Sequence, residues 1–225
     1  GAITQFYGAS GMGKTHLCHL ICVLLPSQFQ AVYIDTEGAF REEKIKSISK
    51  LRGLNWENAL ANIQLKTPVY SGRQESCIDQ VCSSIGNSSD SKVKLLIIDS
   101  MIFHYKGEYS ERSRLAERAS KFNIYMYKLH HLAVTKKIVV VITNHATTQP
   151  DEDYGIPKPF GGNILSNASR YIINLGPAGK SRELISATLT KSTTRGLISF
   201  QILTADFGFY DAHNMFADEA TSEKD

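Results

Sequence analysis

The sequence predicts an α/β domain with a mostly parallel, twisted β-sheet, helices on both of its faces and an antiparallel meander at its C-terminal end. Three observations carry this. Short β-rich runs alternate with helical patterns between residues 3 and 143, and such alternation builds a parallel sheet with covering helices. Two of the runs, Val93 to Ile98 and Ile138 to Thr143, are almost continuously apolar, as strands covered on both faces are. After Tyr171 the pattern changes to strands with no long helices between them, which reads as a meander joined to the parallel sheet.

In chain order, Ile3 to Tyr7 reads as a strand, His16 to Leu25 as a helix and Ala31 to Asp35 as a strand. Arg41 to Leu51 is helical by the spacing of Ile45, Ile48 and Leu51. Ile63 to Thr67 is a strand, Gln74 to Ser84 a helix, and Gly86 to Ser91 a polar loop. The buried-type strand at 93–98 follows. Arg114 to Thr135 is a long helix with Leu115, Phe122, Tyr125, Met126, Leu129 and Leu132 on or near one stripe. The second buried-type strand comes next, and Tyr171 to Leu175, Leu184 to Thr190 and Leu197 to Leu203 make the late strands.

At 225 residues the chain could form one large domain or two small ones. It shows no repeat of fixed period and no linker, so a single core over 1–216 is expected, with a polar, mostly acidic tail at 217–225 that frays. Hydrophobic residues at 42% and charged residues at 21% argue against disorder, collagen and coiled coil. The richest apolar run, Leu17 to Leu25, is too short to cross a bilayer and contains His19. No membrane association and an intracellular location are therefore expected. The sequence opens on Gly1 rather than Met, so a trimmed chain is expected and a missing leader carries little weight. A net charge of +3 permits nucleic-acid binding without arguing for it. Cys18 and Cys22, four apart on a helix, read as thiols on one buried face; neither they nor Cys77 and Cys82 have zinc-site spacing.

Gly8-Ala9-Ser10-Gly11-Met12-Gly13-Lys14-Thr15 matches the phosphate-loop pattern G-x-x-x-x-G-K-[ST] in full, after a strand and before a helix. Glycines let successive backbone N–H groups turn toward one point, and the helix adds its positive dipole end. Lys14 reaches the β and γ phosphates, and Thr15 offers a hydroxyl to Mg²⁺. The bland alternative, a glycine-rich turn ending by chance in Lys-Thr, does not account for the strand and helix on either side. Asp99 closes the buried strand Lys94 to Ile98, where a carboxylate would hold Mg²⁺ through water. The expected cofactors are ATP and Mg²⁺. A catalytic base should sit at the end of another strand, and Tyr33-Ile34-Asp35-Thr36-Glu37-Gly38 offers two carboxylates. One would act on water and the other serve as a cap or loop acceptor; chemistry alone does not choose.

Together these residues resemble the ATPase core of the RecA-type recombinases, in the archaeal and eukaryotic branch and nearest in style to its short archaeal RadB-like members. Gly1 to Gly8 resembles that branch's lead-in to the phosphate loop, and Tyr33 to Arg41 its block carrying the catalytic glutamate. Leu96-Ile97-Ile98-Asp99-Ser100 and Val141-Ile142-Thr143-Asn144 match its next two strands, and Pro159-Phe160-Gly161-Gly162-Asn163 the glycine pair closing its second DNA loop. The likeness runs to about Asp211. It implies a RecA-like P-loop ATPase in which Glu37 is the base and Lys14 the catalytic cation. The implied nucleotide-binding set comprises Gly8 to Thr15, His16, Asp99 and His145.

The family usually places a glutamine after Thr-Asn as a γ-phosphate sensor; here it is His145. The second loop, about Ala146 to Phe160, carries Asp151, Glu152 and Asp153 against Lys158, and acids facing phosphates would weaken binding. The first loop, about Phe103 to Arg114, is better suited. Lys106, Arg112 and Arg114 could meet phosphates, while Phe103, Tyr105 and Tyr109 could stack on bases, unless the aromatics pack back on the body. Gly161 and Gly162 complete the expected DNA set. Lys191 and Arg195 could reach a neighbour's γ-phosphate in a head-to-tail assembly, or simply form a charged turn.

The reading this supports is an ATP-binding recombination or repair protein, hydrolysing ATP slowly. It would bind single-stranded DNA, assist the main recombinase or assemble with itself, with ATP at the interface. The alternatives are a full strand-exchange recombinase, a RecA-fold signalling ATPase that ignores DNA, and a structural partner with ATP as glue.

Overall fold

The computed structural model describes residues 1–150, 157–179, 184–192, 198–205 and 208–211. Their strands are β1 (Ala2–Gly8), β2 (Gln30–Asp35), β3 (Ile63–Lys66), β4 (Val93–Asp99), β5 (Val139–Pro150), β6 (Pro157–Pro159), β7 (Tyr171–Pro177), β8 (Leu184–Lys191), β9 (Ile198–Ala205) and β10 (Gly208–Asp211). The helices are α1 (Lys14–Val23), α2 (Glu42–Leu51), α3 (Trp56–Ala61), α4 (Ser71–Asn87), α5 (Phe103–Glu108), α6 (Leu115–Lys136) and α7 (Gly162–Ala168), with a 3₁₀ turn at Arg112–Arg114.

The main sheet runs β10-β9-β8-β7-β1-β5-β4-β2-β3, with β6 paired to β5. From β7 through β3 every pairing is parallel. The meander therefore begins one strand later than the sequence pattern implies. β7 lies parallel to β1, and β8, β9 and β10 follow antiparallel.

Strand alternation divides the interior in two. Ile3, Val32, Ile34, Leu96, Ile98, Val140 and Ile142 meet α4, α5, α6 and α7 on one face. Phe6, Ala31, Tyr33, Leu95, Ile97 and Val141 meet α1 and α2 on the other. Leu129, Ile45 and Ile97 are fully buried, and each such side chain stabilises the fold by about 1.5–3 kcal/mol over leaving it in water. Cys18 and Cys22 lie in the second cluster, as their spacing predicts.

Three short helices escape the sequence pattern. α3, α5 and α7 span only 6 or 7 residues each, fewer than two full turns, so a 3.6-residue stripe has no length in which to show. α5 and the 3₁₀ turn occupy what the sequence marks as an open loop. Tyr105 and Tyr109 are accordingly buried, not offered to bases. Tyr105 packs edge-on against Phe122 at 4.9 Å, and its hydroxyl donates to Glu75.

The crossover order brings the carboxyl ends of β1, β2, β4 and β5 to one edge of the sheet, where ligands of open α/β sheets bind.

Candidate nucleotide site

The loop after β1 is shaped by its glycines. A Cβ on Gly8 would come within 2.2 Å of the Leu175 carbonyl oxygen of β7, so only glycine lets β1 turn here while paired to β7. Gly11 and Gly13 have φ of +82° and +73°, the left-handed region that side-chain-bearing residues avoid. Gly13 caps α1 with no side-chain hydrogen bond, so the helix presents its first N–H groups to whatever sits in the loop. That is the arrangement an anion requires. Lys14 bends over the loop, and its Nζ donates to the carbonyls of Gly8 at 2.9 Å and Ala9 at 2.8 Å. Burial lowers its pKa, and Glu37 and Asp99 pull in the opposite direction.

Asp99 ends β4 and is 2% exposed. Tyr33 donates to its Oδ2 at 2.7 Å, and Thr143 donates to its Oδ1. Burial raises its pKa against these bonds and a further one from Thr15. The Asp99–Ser100 peptide bond is cis.

The two carboxylates after β2 have separate tasks. Asp35 Oδ1 accepts from the N–H groups of Glu37 and Ala39, and its Oδ2 accepts from that of Phe40. It folds the loop and is committed to it. Glu37 instead reaches into the cavity. Its Oε1 accepts from Ser100 Oγ at 2.6 Å and pairs with His145 Nε2 at 3.1 Å. The His145 hydrogen bond is the largest influence lowering its pKa; burial opposes it, and the Ser100 bond adds to the lowering.

A cavity of about 340 Å³ joins these groups. Ser10, Gly11, Gly13, Lys14, Thr15, Glu37, Asp99 and His145 line it, together with His16, His19, Ala39, Arg41 and Lys44. A cradle of backbone donors, a lysine, and a carboxylate beside a hydroxyl fit a nucleoside triphosphate with Mg²⁺, a hard cation that takes oxygen ligands.

His145 also reaches the second loop. Its carbonyl accepts from Phe160 N–H at 2.9 Å, and Asn144 Nδ2 donates to Phe160 O at 2.7 Å. The described arms of that loop form a ladder between β5 and β6, where the sequence implied an irregular segment; Asp151, Glu152 and Asp153 lie outside the described residues. Gly161, at φ +88°, caps α7, and Gly162 opens it. Lys106 and Arg118 stand over the Phe160 ring at 5.6 and 5.0 Å, tying the two DNA-loop candidates together. Arg112 is exposed. Arg114 lies over Tyr109 at 4.2 Å and donates to Glu108 O. Lys191 Nζ donates to the Ser166 and Asn167 carbonyls at the end of α7, so within this chain it is engaged internally. Arg195 lies outside the described residues.

A family model described as Rad51 matches residues 1–193. The chain belongs to the Rad51 family. It is thus a RecA-type ATPase core, and the mixed sheet is the RecA-like fold. Rad51 proteins act in ATP-dependent DNA recombination and repair; they are ATPases that use ATP with Mg²⁺, bind single-stranded DNA and form filaments or oligomers. No described helix is long and apolar enough to cross a membrane.

Tyr33, Thr36, Ser100 and Thr143 hold the site's carboxylates in place, yet no motif in the sequence marks them as site residues. The signal they leave there is a polar group in or just after an otherwise apolar strand run.

Proposed function

We propose that this chain is an ATP-binding recombination or repair protein that hydrolyses ATP slowly, binds single-stranded DNA and assists the main recombinase, assembling head to tail with ATP at the interface. The carrying observation is Glu37. Its carboxylate faces the cavity that Lys14, Thr15 and Asp99 line, and its Oε2 has no hydrogen bond among the described residues.

In this reading Gly8 to Thr15 and His16 hold the nucleotide, and Lys14 meets the negative charge that develops on the transferred phosphoryl group. Thr15 and Asp99 would hold Mg²⁺, which supplies charge neutralisation at the phosphate oxygens. Glu37 orients the attacking water and takes its proton at Oε2 as the water oxygen bonds to phosphorus and the bridging oxygen leaves. A carboxylate with a lowered pKa orients water well and accepts a proton weakly, which supports slow turnover. Lys106, Arg112 and Arg114 at the first loop, with the Gly161–Gly162 edge, are the DNA contacts proposed. Lys191 and Arg195 remain the candidates for a residue reaching a neighbour's nucleotide, Lys191 only after leaving α7.

The deciding experiment pairs nucleotide binding with turnover. Glu37→Gln should bind ATP as the parent does and lose hydrolysis, while Lys14→Ala should lose tight binding. Parental turnover by Glu37→Gln would overturn the assignment. A strand-exchange assay with and without a partner recombinase separates an assisting role from a self-sufficient one.

A further inference from the structure

Glu37 is a loop residue, and a base on a loop needs something rigid to aim it. β2 and β4 run parallel with Asp35 opposite Asp99, and one more backbone bond, Thr36 N–H to Asp99 O at 2.9 Å, extends the ladder. The strands end at Asp35 and Asp99, and beyond them a side chain continues the pairing. Thr36 Oγ1 accepts from Ser100 N–H at 2.8 Å and donates to Ser100 O at 2.8 Å. Ser100 is fully buried and Thr36 is 4% exposed. The backbone of Ser100 is thus held at both its N–H and its C=O by one hydroxyl, and Ser100 Oγ then donates to Glu37 Oε1.

We propose that Ser100 is the positioning residue for Glu37, and that Thr36 is the strut that holds Ser100 in place. The claim rests on the reading of Glu37 as the group that acts on water. Two donors meet Oε1, and they differ in kind. His145 is partly exposed and bonded to the second loop through Phe160. Ser100 belongs to the end of the central sheet. Ser100 therefore gives Glu37 a fixed bearing whatever the second loop does, and with Oε1 taken, Oε2 is the oxygen left to face water. Misaiming a reacting group by about 1 Å can cost about a hundredfold in rate.

The test measures ATP turnover and nucleotide affinity for the parent, Ser100→Ala, Glu37→Gln and the double variant. Ser100→Ala should lower kcat by about ten- to a hundredfold and leave nucleotide affinity and the Mg²⁺ concentration for half-maximal rate within about twofold. In the Glu37→Gln background it should lower the residual rate no further, because the group it aims is already gone. An unchanged kcat in Ser100→Ala overturns the proposal. So does an equal loss in both backgrounds, or a shifted Mg²⁺ requirement, either of which would place the effect at Asp99 or in the fold. Parental turnover in Glu37→Gln alone removes the reading beneath it, a distinguishable failure. Should Ser100→Ala melt too low to assay, Thr36→Val against Thr36→Ser asks the same question. Only the serine keeps the hydroxyl strut, so it alone should keep the parental kcat.

Discussion

His145 Nε2 lies 3.1 Å from Glu37 Oε1, at the position where the family resemblance implies a glutamine facing the γ-phosphate. In this conformation the imidazole grips the carboxylate expected to act on water. The same residue's carbonyl holds Phe160 of the second loop, so a movement of that loop reaches Glu37 through a single residue.

The His145–Glu37 contact gives turnover a pH dependence of definite sign. The His145 bond is the main influence holding Glu37 below the ordinary carboxylate range, and the proposed mechanism needs Glu37 ionised. Activity should fall on acidification only as pH passes through this lowered value. In His145→Ala the acidic limb should move to higher pH, and in His145→Gln it should lie between the two, since an amide N–H still donates. Matched kcat profiles of the three proteins decide this, and superimposed limbs would remove His145 from the site's electrostatics. Lys14, Asp99, His16, Arg41 and Lys44 line the same cavity and are common to all three.

DNA binding should divide between charge and stacking at the first loop. Arg112 is exposed, so Arg112→Ala should reduce the salt slope of single-strand binding by about 0.7, the value of one phosphate contact, without changing the melting temperature. Phe103 is 45% exposed and is the only aromatic of the three named from sequence that is free to stack. Phe103→Ala should weaken binding by about 1–3 kcal/mol with the slope unchanged. Arg114→Ala should also lower stability, because its guanidinium packs on Tyr109. Filter binding across a salt series, with melts alongside, checks all three, and an unchanged slope in Arg112→Ala would exclude that contact.

These contrasts show what the sequence could tell. The phosphate loop, Asp99 and the two buried strands are local signals, and each lies where its pattern predicts. The choice between Asp35 and Glu37 is not local. It depends on the loop folding back so that three N–H groups find Asp35, which no spacing rule encodes. Tyr105 and Tyr109 mislead for a related reason: beside basic residues an aromatic reads as a stacking surface, yet α5 turns both into the core cluster with Phe122. Ser100 and Thr36 acquire meaning only when β2 and β4 are laid side by side.

Gly8 and Gly11 should fail in different ways. A Cβ at Gly8 meets the Leu175 carbonyl oxygen at 2.2 Å, while one at Gly11 meets nothing within 4 Å but sits at φ +82°. Gly11→Ala should therefore cost about 1 kcal/mol of local strain, with some loss of nucleotide affinity. Gly8→Ala must push β7 from β1 and should cost several times more. Urea melts without nucleotide measure the difference, and equal costs would show that the β1–β7 contact relaxes freely.

His19 makes the stability of the fold depend on pH. It is 2% exposed, its ring lies 5.0 Å from that of Phe40, and its Nε2 accepts the Arg41 N–H at 3.2 Å. An accepting nitrogen carries no proton, so this geometry requires the neutral ring. Burial, reinforced by His16, Arg41 and Lys44 and opposed by Asp35, pushes its pKa down to about 4. In the unfolded chain the ring regains its ordinary value of about 6.5. Between these values the unfolded chain binds more protons, so stability rises with pH. The contribution is complete above about pH 6.5 and is lost as pH falls toward 4, by about 1.4 kcal/mol per unit and on the order of 3 kcal/mol in all. His19→Gln keeps an acceptor for Arg41 and cannot titrate. Urea unfolding at pH 7, 6 and 5 should show the parent losing stability faster than the variant below pH 6.5, with carboxylate effects cancelling in the comparison. Parallel lines would mean that His19 accepts its proton without leaving the fold.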